Sequence, residues 1–228
     1  ILVAFYRVVF AKTSTIAGWS EPDYFFFVGC FFAINGLIET LFLENCNEFA
    51  ELVRTGDLDF LLLKPIDEQF LISCRKIDWG TAPNLLMGAI LMAVALVQKG
   101  WTFDPGRVAA FVVTFACGVA IAYSFMMMLT SLSVWMVRNQ SLMEMWWLFS
   151  SLVRYPREIF SGRGAEMLGR FFTFVVPILL VSNVPADVMV RVLDPGMIAW
   201  TVAVAAASLW VSRRFFHVAL RSYRSASS

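Results

Sequence analysis

Few side chains in this chain have the types or spacing for chemistry. It has one histidine, His217, and four cysteines, Cys30, Cys46, Cys74 and Cys117, with no Cys-x-x-Cys pair. A multi-histidine metal site, a zinc site and a disulfide framework are therefore not indicated. No glycine-rich phosphate loop ending in Gly-Lys-Ser or Gly-Lys-Thr is present, nor a His-Glu-x-x-His pair or a Gly-x-Ser-x-Gly elbow. The sequence predicts no metal site, no catalytic group and no cofactor held by this chain.

What remains are acids in unusual places. Glu39 lies inside an apolar run and Glu144 near the start of another. An acid at membrane depth is a candidate for a substrate or ion path; equally, Glu39 can pair with a polar group on a neighbouring helix. The other concentration is residues 44–77, which hold 11 of the chain's 35 charged side chains, seven acids and four bases. Cys46, Phe49, Ala50 and Val53 recur there at helical spacing, with Glu48, Glu51 and Arg54 on the rest of the surface and Gly56 as a stop. Next comes an apolar block, Leu58 to Leu63, bracketed by Asp57 and Asp59 before and by Lys64 and Pro65 after. Helices that lie on lipid are rich in Lys and Arg, whereas this stretch has a net charge of −3. Docking on a protein partner is the favoured reading, with packing on the chain's own helices as the alternative. Asp57 and Asp59 suit either polar contact with that partner or capping of a short helix.

The elements that must position these groups follow from composition. The chain has 228 residues, 59% apolar and 15% charged, with net charge +1. Soluble domains carry about 45–50% apolar and about 25% charged residues. This is the composition of an integral membrane protein, and nothing in it suggests nucleic-acid binding. A span needs roughly 20 apolar residues. Residues 24–43, 79–98, 108–137 and 195–212 meet or approach that length, and 139–153 is shorter, with Glu144 inside. Residues 1–11 read as the outer part of a first span, and a start at Ile1 suggests a longer parent chain. Residues 171–186 contain Pro177 and Pro185, which remove helix donors. Such backbone is tolerated at membrane depth only when it is buried in protein or lines a cavity, so a re-entrant element is predicted over 171–186. The tail, with Arg213, Arg214, Arg221, Arg224 and no acid, is placed in the cytoplasm. The expected architecture is one all-α membrane domain over 1–228, with six spans, the first truncated.

Val53-Arg54-Thr55-Gly56-Asp57-Leu58-Asp59-Phe60-Leu61-Leu62-Leu63-Lys64-Pro65 resembles a block of the ABC-2-type transporter permeases, in particular their bacterial six-span branch of type V exporter-like proteins. Gly18-Trp19-Ser20, Ser133-Val134-Trp135, Tyr155-Pro156, Phe172 to Pro177, Val184-Pro185-Ala186 and Arg221 to Ser225 are similar to further blocks in the same order. The resemblance implies an exporter subunit for a hydrophobic, lipid-like or drug-like substrate in the bacterial inner membrane. It also implies a separate ATPase subunit that supplies ATP and Mg, and a second permease, identical or related. By the same resemblance 156–186, opened by Pro156, is the re-entrant outer segment and 48–65 the coupling element, with Glu48, Glu51, Arg54, Asp57 and Asp59 as polar contacts. Leu58, Phe60, Leu61, Leu62 and Pro65 complete that set. Two other classes fit the composition: an ion-coupled carrier using Glu39 or Glu144, and a membrane assembly protein that transports nothing.

Overall fold

The computed structural model describes residues 2–136, 140–161, 166–192 and 194–223. Among them no strand forms beyond a single bridge between Ile16 and Trp19. The helices are α1 (Leu2–Phe10), α2 (Glu21–Ile38), α3 (Glu44–Thr55), α4 (Leu58–Leu62), α5 (Glu68–Ser73), α6 (Ala82–Lys99), α7 (Pro105–Leu132), α8 (Gln140–Val153), α9 (Glu166–Arg170), α10 (Leu180–Val190) and α11 (Pro195–Ser222). Two π-helical turns, Glu39–Leu43 and Phe171–Val175, and a 3-10 turn, Arg157–Ser161, join some of them.

Among the described residues four helices are long and apolar enough to cross a membrane: Glu21–Thr55, Ala82–Lys99, Pro105–Leu132 and Pro195–Ser222. Six spans are expected from the sequence; α1 and α8, at 9 and 14 residues, fall short of a full crossing. α8 also stops at Val153, before Pro156, and the end of the 108–137 stretch at Val137 lies outside the described residues. The first of the four corrects the sequence reading. Residues 44–55 are not a separate surface helix after a span. They continue α2 through the π-turn at Glu39–Leu43, giving one helix of 35 residues, about 50 Å long.

α2 is apolar all round because it is buried all round: Tyr24 to Phe31 are all buried. Its glycines let α6 approach backbone to backbone. A Cβ on Gly36 would stand 2.9 Å from the Asn84 carbonyl carbon, and one on Gly88 would stand 2.8 Å from the Cα of Ala33. α7 and α11 pack side by side and in parallel, each 28 residues long. Both begin with Asp-Pro-Gly, and both use the aspartate as cap: Asp104 Oδ1 accepts from Gly106 N at 2.9 Å, and Asp194 Oδ1 accepts from Gly196 N at 2.9 Å.

Helix α10 is buried at every residue. Pro185 sits inside it, so the carbonyl of Val181 loses its usual helical donor. That carbonyl lies against Gly118 of α7, where a side chain would collide with it. The freed acceptor is thus covered by a neighbouring helix instead of breaking α10. Ahead of it, Pro177 follows Val176 in extended backbone, and Leu179 N donates to Phe172 O at 3.1 Å. From α9 the chain runs through the second π-turn and the Val176–Pro177 break into α10.

Candidate functional site

Two ends of the bundle carry the polar chemistry. At the end where α3 finishes, the chain that leaves α5 is tied back to the side of the long helix. Asn45 Nδ2 donates to Lys76 O at 2.8 Å, and Lys76 N donates to Asn45 Oδ1 at 2.8 Å. Glu48 pairs with both Arg75 and Lys76. Asp78 N donates to Thr40 O at 2.9 Å, and the hydroxyls of Thr40 and Thr81 lie 3.1 Å apart. Glu39, half-buried in the π-turn, accepts from Asn84 Nδ2 at 3.0 Å. π-turns of this kind recur at functional positions in helices.

Gly56, at φ 83°, ends α3 in a left-handed conformation that only glycine adopts at low cost. Thr55 Oγ1 donates to Asp57 Oδ2 at 2.8 Å, so the Asp57 carboxylate faces the turn; its side chain makes no capping bond to α4. Glu51 and Arg54 pair with each other on the exposed face, Nε to Oε2 at 2.9 Å. Leu58 is fully buried in the core cluster with Cys46, Phe49, Ile72 and Phe216, so in this conformation it holds the block in place and presents nothing outward. Phe60 is its opposite, 70% exposed. Asp59, Leu61 and Leu62 are half-buried and Pro65 is exposed.

The structure adds apolar residues that the sequence reading does not single out. Leu63 is 81% exposed, and Ile66 and Phe70 are exposed beside it. With Phe60 they form an apolar knuckle at the end of the bundle. Asp67 caps α5 by accepting from Phe70 N at 3.0 Å, and Arg213 Nη2 reaches its Oδ2 at 2.6 Å. The Arg213 guanidinium and the Phe70 amide hold the Asp67 carboxyl below its ordinary range.

At the opposite end, Trp19 Nε1 donates to Glu158 Oε2 at 2.9 Å. Arg191 Nη1 donates to Glu158 Oε1 at 2.9 Å and to Asp187 Oδ1 at 3.1 Å, and its guanidinium lies 4.4 Å from the centre of the Trp19 ring. Arg157 Nη2 stands 3.2 Å from Asp187 Oδ2, and Lys99 pairs with Asp23. The buried Asn183 locks the turn after α8, accepting from Arg157 N at 2.9 Å. No local motif announces this cluster, because Trp19 and Glu158 are 139 positions apart. Pro156 is buried beside it, Pro177 precedes α10 and Pro185 lies within it, and Glu144 is exposed on α8.

Among the described residues no group of three or more His, Cys, Asp or Glu is placed to hold a metal ion. A bundle of long apolar helices, with charged groups cross-linked at one end and apolar side chains exposed at the other, has the make-up of a membrane protein. Over residues 1–227 the chain matches the family described as ABC-2 family transporter protein, and it belongs to that family. It is a multi-pass permease component of an ABC transporter. No curated protein and no solved structure matches it significantly.

Proposed function

We propose that this chain is the permease subunit of an ATP-driven exporter in a bacterial inner membrane, moving a hydrophobic, lipid-like or drug-like substrate. It would pass the bilayer six times, with α1 and α8 as partial crossings in this conformation, and the α9–α10 segment would re-enter from the outer side. The end bearing Phe60 and the α11 C-terminus would face the cytoplasm. The observation that carries this reading is the knuckle of Phe60, Leu63, Ile66 and Phe70, exposed and set just beyond Gly56, where the helix continuous with the buried span α2 ends. Exposed apolar side chains in water mark a contact surface. Here that surface would seat on a separate ATPase subunit, which would hold ATP and Mg and carry out hydrolysis, with Asp59, Leu61, Leu62 and Pro65 at its edge. Closing of two ATPase subunits would then move the span directly. A second permease would complete the transport path.

Purification in mild detergent, with mass spectrometry of the chains that travel with it, tests this. A nucleotide-binding ATPase should co-purify with the native protein and be lost from Phe60→Asp/Leu63→Asp. If no such subunit is found, or if the double variant retains it, the reading is wrong. The half-buried Glu39 favours a second reading, an ion-coupled carrier. That reading requires transport without nucleotide that collapses with an ionophore and in Glu39→Gln.

A further inference from the structure

Docking on an ATPase makes no use of the basic end of α11. From Pro195 that helix runs 18 residues without a charge, about 27 Å of rise against a hydrocarbon layer of about 30 Å. Arg213 and Arg214 follow immediately, and Trp210 sits one turn before them, at the depth where membrane proteins place their aromatic belts. Trp210, Arg214, His217 and Arg221 fall at i, i+4, i+7 and i+11 and share one face. The Arg214 guanidinium lies over the Trp210 ring, 5.6 Å from its centre. Together with Arg213 these residues line a groove of about 350 Å³.

Arg213 also borders a second hollow, of about 390 Å³, whose walls include Phe42, Phe70 and Leu209. Its floor is polar. The Tyr123 hydroxyl lies 3.0 Å from that of Ser73 and 3.2 Å from Gln69 Nε2, while the buried Oε1 of Gln69 has no donor. Across this double groove three arginines meet one acid: Asp67 pairs with Arg213, and among the described residues no acid pairs with Arg214 or Arg221. Cations without a counter-acid, at headgroup depth and beside an apolar wall, are complementary to a ligand that is anionic at one end and hydrocarbon at the other.

We propose that this groove holds an anionic phospholipid, with its phosphate on Arg214 and Arg221, its polar headgroup toward the floor of the second hollow and its acyl chains along Leu209 and Trp210. A topological preference for basic residues at one membrane face accounts for the charges, but it requires neither their shared helical face nor the flanking hollow. A protein partner with an acidic surface would have to reach past the headgroups to touch Trp210 and Leu209. The site is that of a resident lipid, independent of ATP and of which substrate the transporter moves.

The test uses the whole transporter, delipidated in detergent and titrated with phosphatidylglycerol or phosphatidylcholine, with retained lipid read by native mass spectrometry. Wild type should hold phosphatidylglycerol in preference. Its affinity should fall about fivefold for each arginine lost in Arg214→Gln and Arg214→Gln/Arg221→Gln, recover in Arg214→Lys/Arg221→Lys, and stay unchanged in Lys12→Gln. Equal affinity in wild type and the double Gln variant overturns the proposal. So does displacement of the lipid by millimolar inorganic phosphate, which marks a free-anion site. Retention of the lipid with loss of the ATPase subunit overturns it too, because the basic face would then be a protein contact. The Lys pair keeps the test decisive if the Gln pair fails to assemble, since restored assembly without restored lipid selectivity also counts against it.

Discussion

The two ends of this bundle contain similar kinds of side chain and treat them in opposite ways. At the Trp19 end, Asp187 is buried and Glu158 and Arg191 half-buried, and Glu158 bonds to Trp19 and Arg191, 139 and 33 positions away. At the Phe60 end, Glu51 pairs with Arg54 three residues away on an exposed face, and large apolar side chains project outward. Exposed local pairs contribute about 0–1 kcal/mol, whereas breaking a buried pair costs several times more. One end is closed on itself and fixes the helices. The other keeps its ion pair local and leaves Phe60, Leu63, Ile66 and Phe70 exposed.

Variants that weaken one end without touching the other can break this contrast. The largest expected effect is Arg191→Ala, which removes a partner from both Glu158 and Asp187. It should lower unfolding stability in detergent by about 3 kcal/mol; a loss near zero would show that the cluster does not clasp the bundle. Leu58→Ala comes next, at about 2–3 kcal/mol, since it opens a hole beneath the docking block. Thermal unfolding would read it, and a loss no larger than that of Phe60→Ala would remove the distinction between anchor and contact. Phe60→Ala/Leu63→Ala should change stability by no more than about 0.5 kcal/mol yet weaken ATPase capture roughly thirtyfold. Stability loss with capture intact would assign the knuckle to the chain's own packing.

The smallest effect concerns pH. The Asp67 carboxyl is held below its ordinary value when folded, so its contribution is fully present above about pH 3.9 and is lost as pH falls through the lower folded value. Stability curves of wild type and Asp67→Asn should therefore differ at neutral pH and converge in acid. Parallel curves throughout would mean that the Arg213 bond does not stabilise the fold.

How much of this was legible beforehand differs between the two ends. The four long helices follow uncharged runs, and Gly56 and the apolar block were readable because their signals are local. The join between α2 and α3 was hidden. Glu44, Asn45 and Glu48 mark the exit from hydrocarbon, but a helix has no reason to stop where its solvent changes. Hydropathy reports surroundings, not backbone continuity. Pro185 was readable as a disturbance of helix α10, while the answer to it, a glycine 67 positions earlier at Gly118, was not. Leu58 was grouped with its outward neighbours because a block of five apolar residues does not reveal which one turns inward. The Trp19 cluster was invisible for the same reason, because its bonds join residues with no periodic relation.

The 35-residue helix has a mechanical consequence. It lies against α6 from Gly36 back to the Asp23–Lys99 pair, and the Cys30–Met92 contact and the Glu39–Asn84 bond tie the two helices together. Taking Gly36 as a pivot for the pair leaves about 22 Å of rod toward Glu21 and about 28 Å toward Thr55. A tilt of about 5° would carry Thr55 through about 2.5 Å and Glu21 through about 2 Å the other way. The stroke of a partner at one end would then arrive at the Asp23–Lys99 latch at the other, reversed in sign and only slightly reduced.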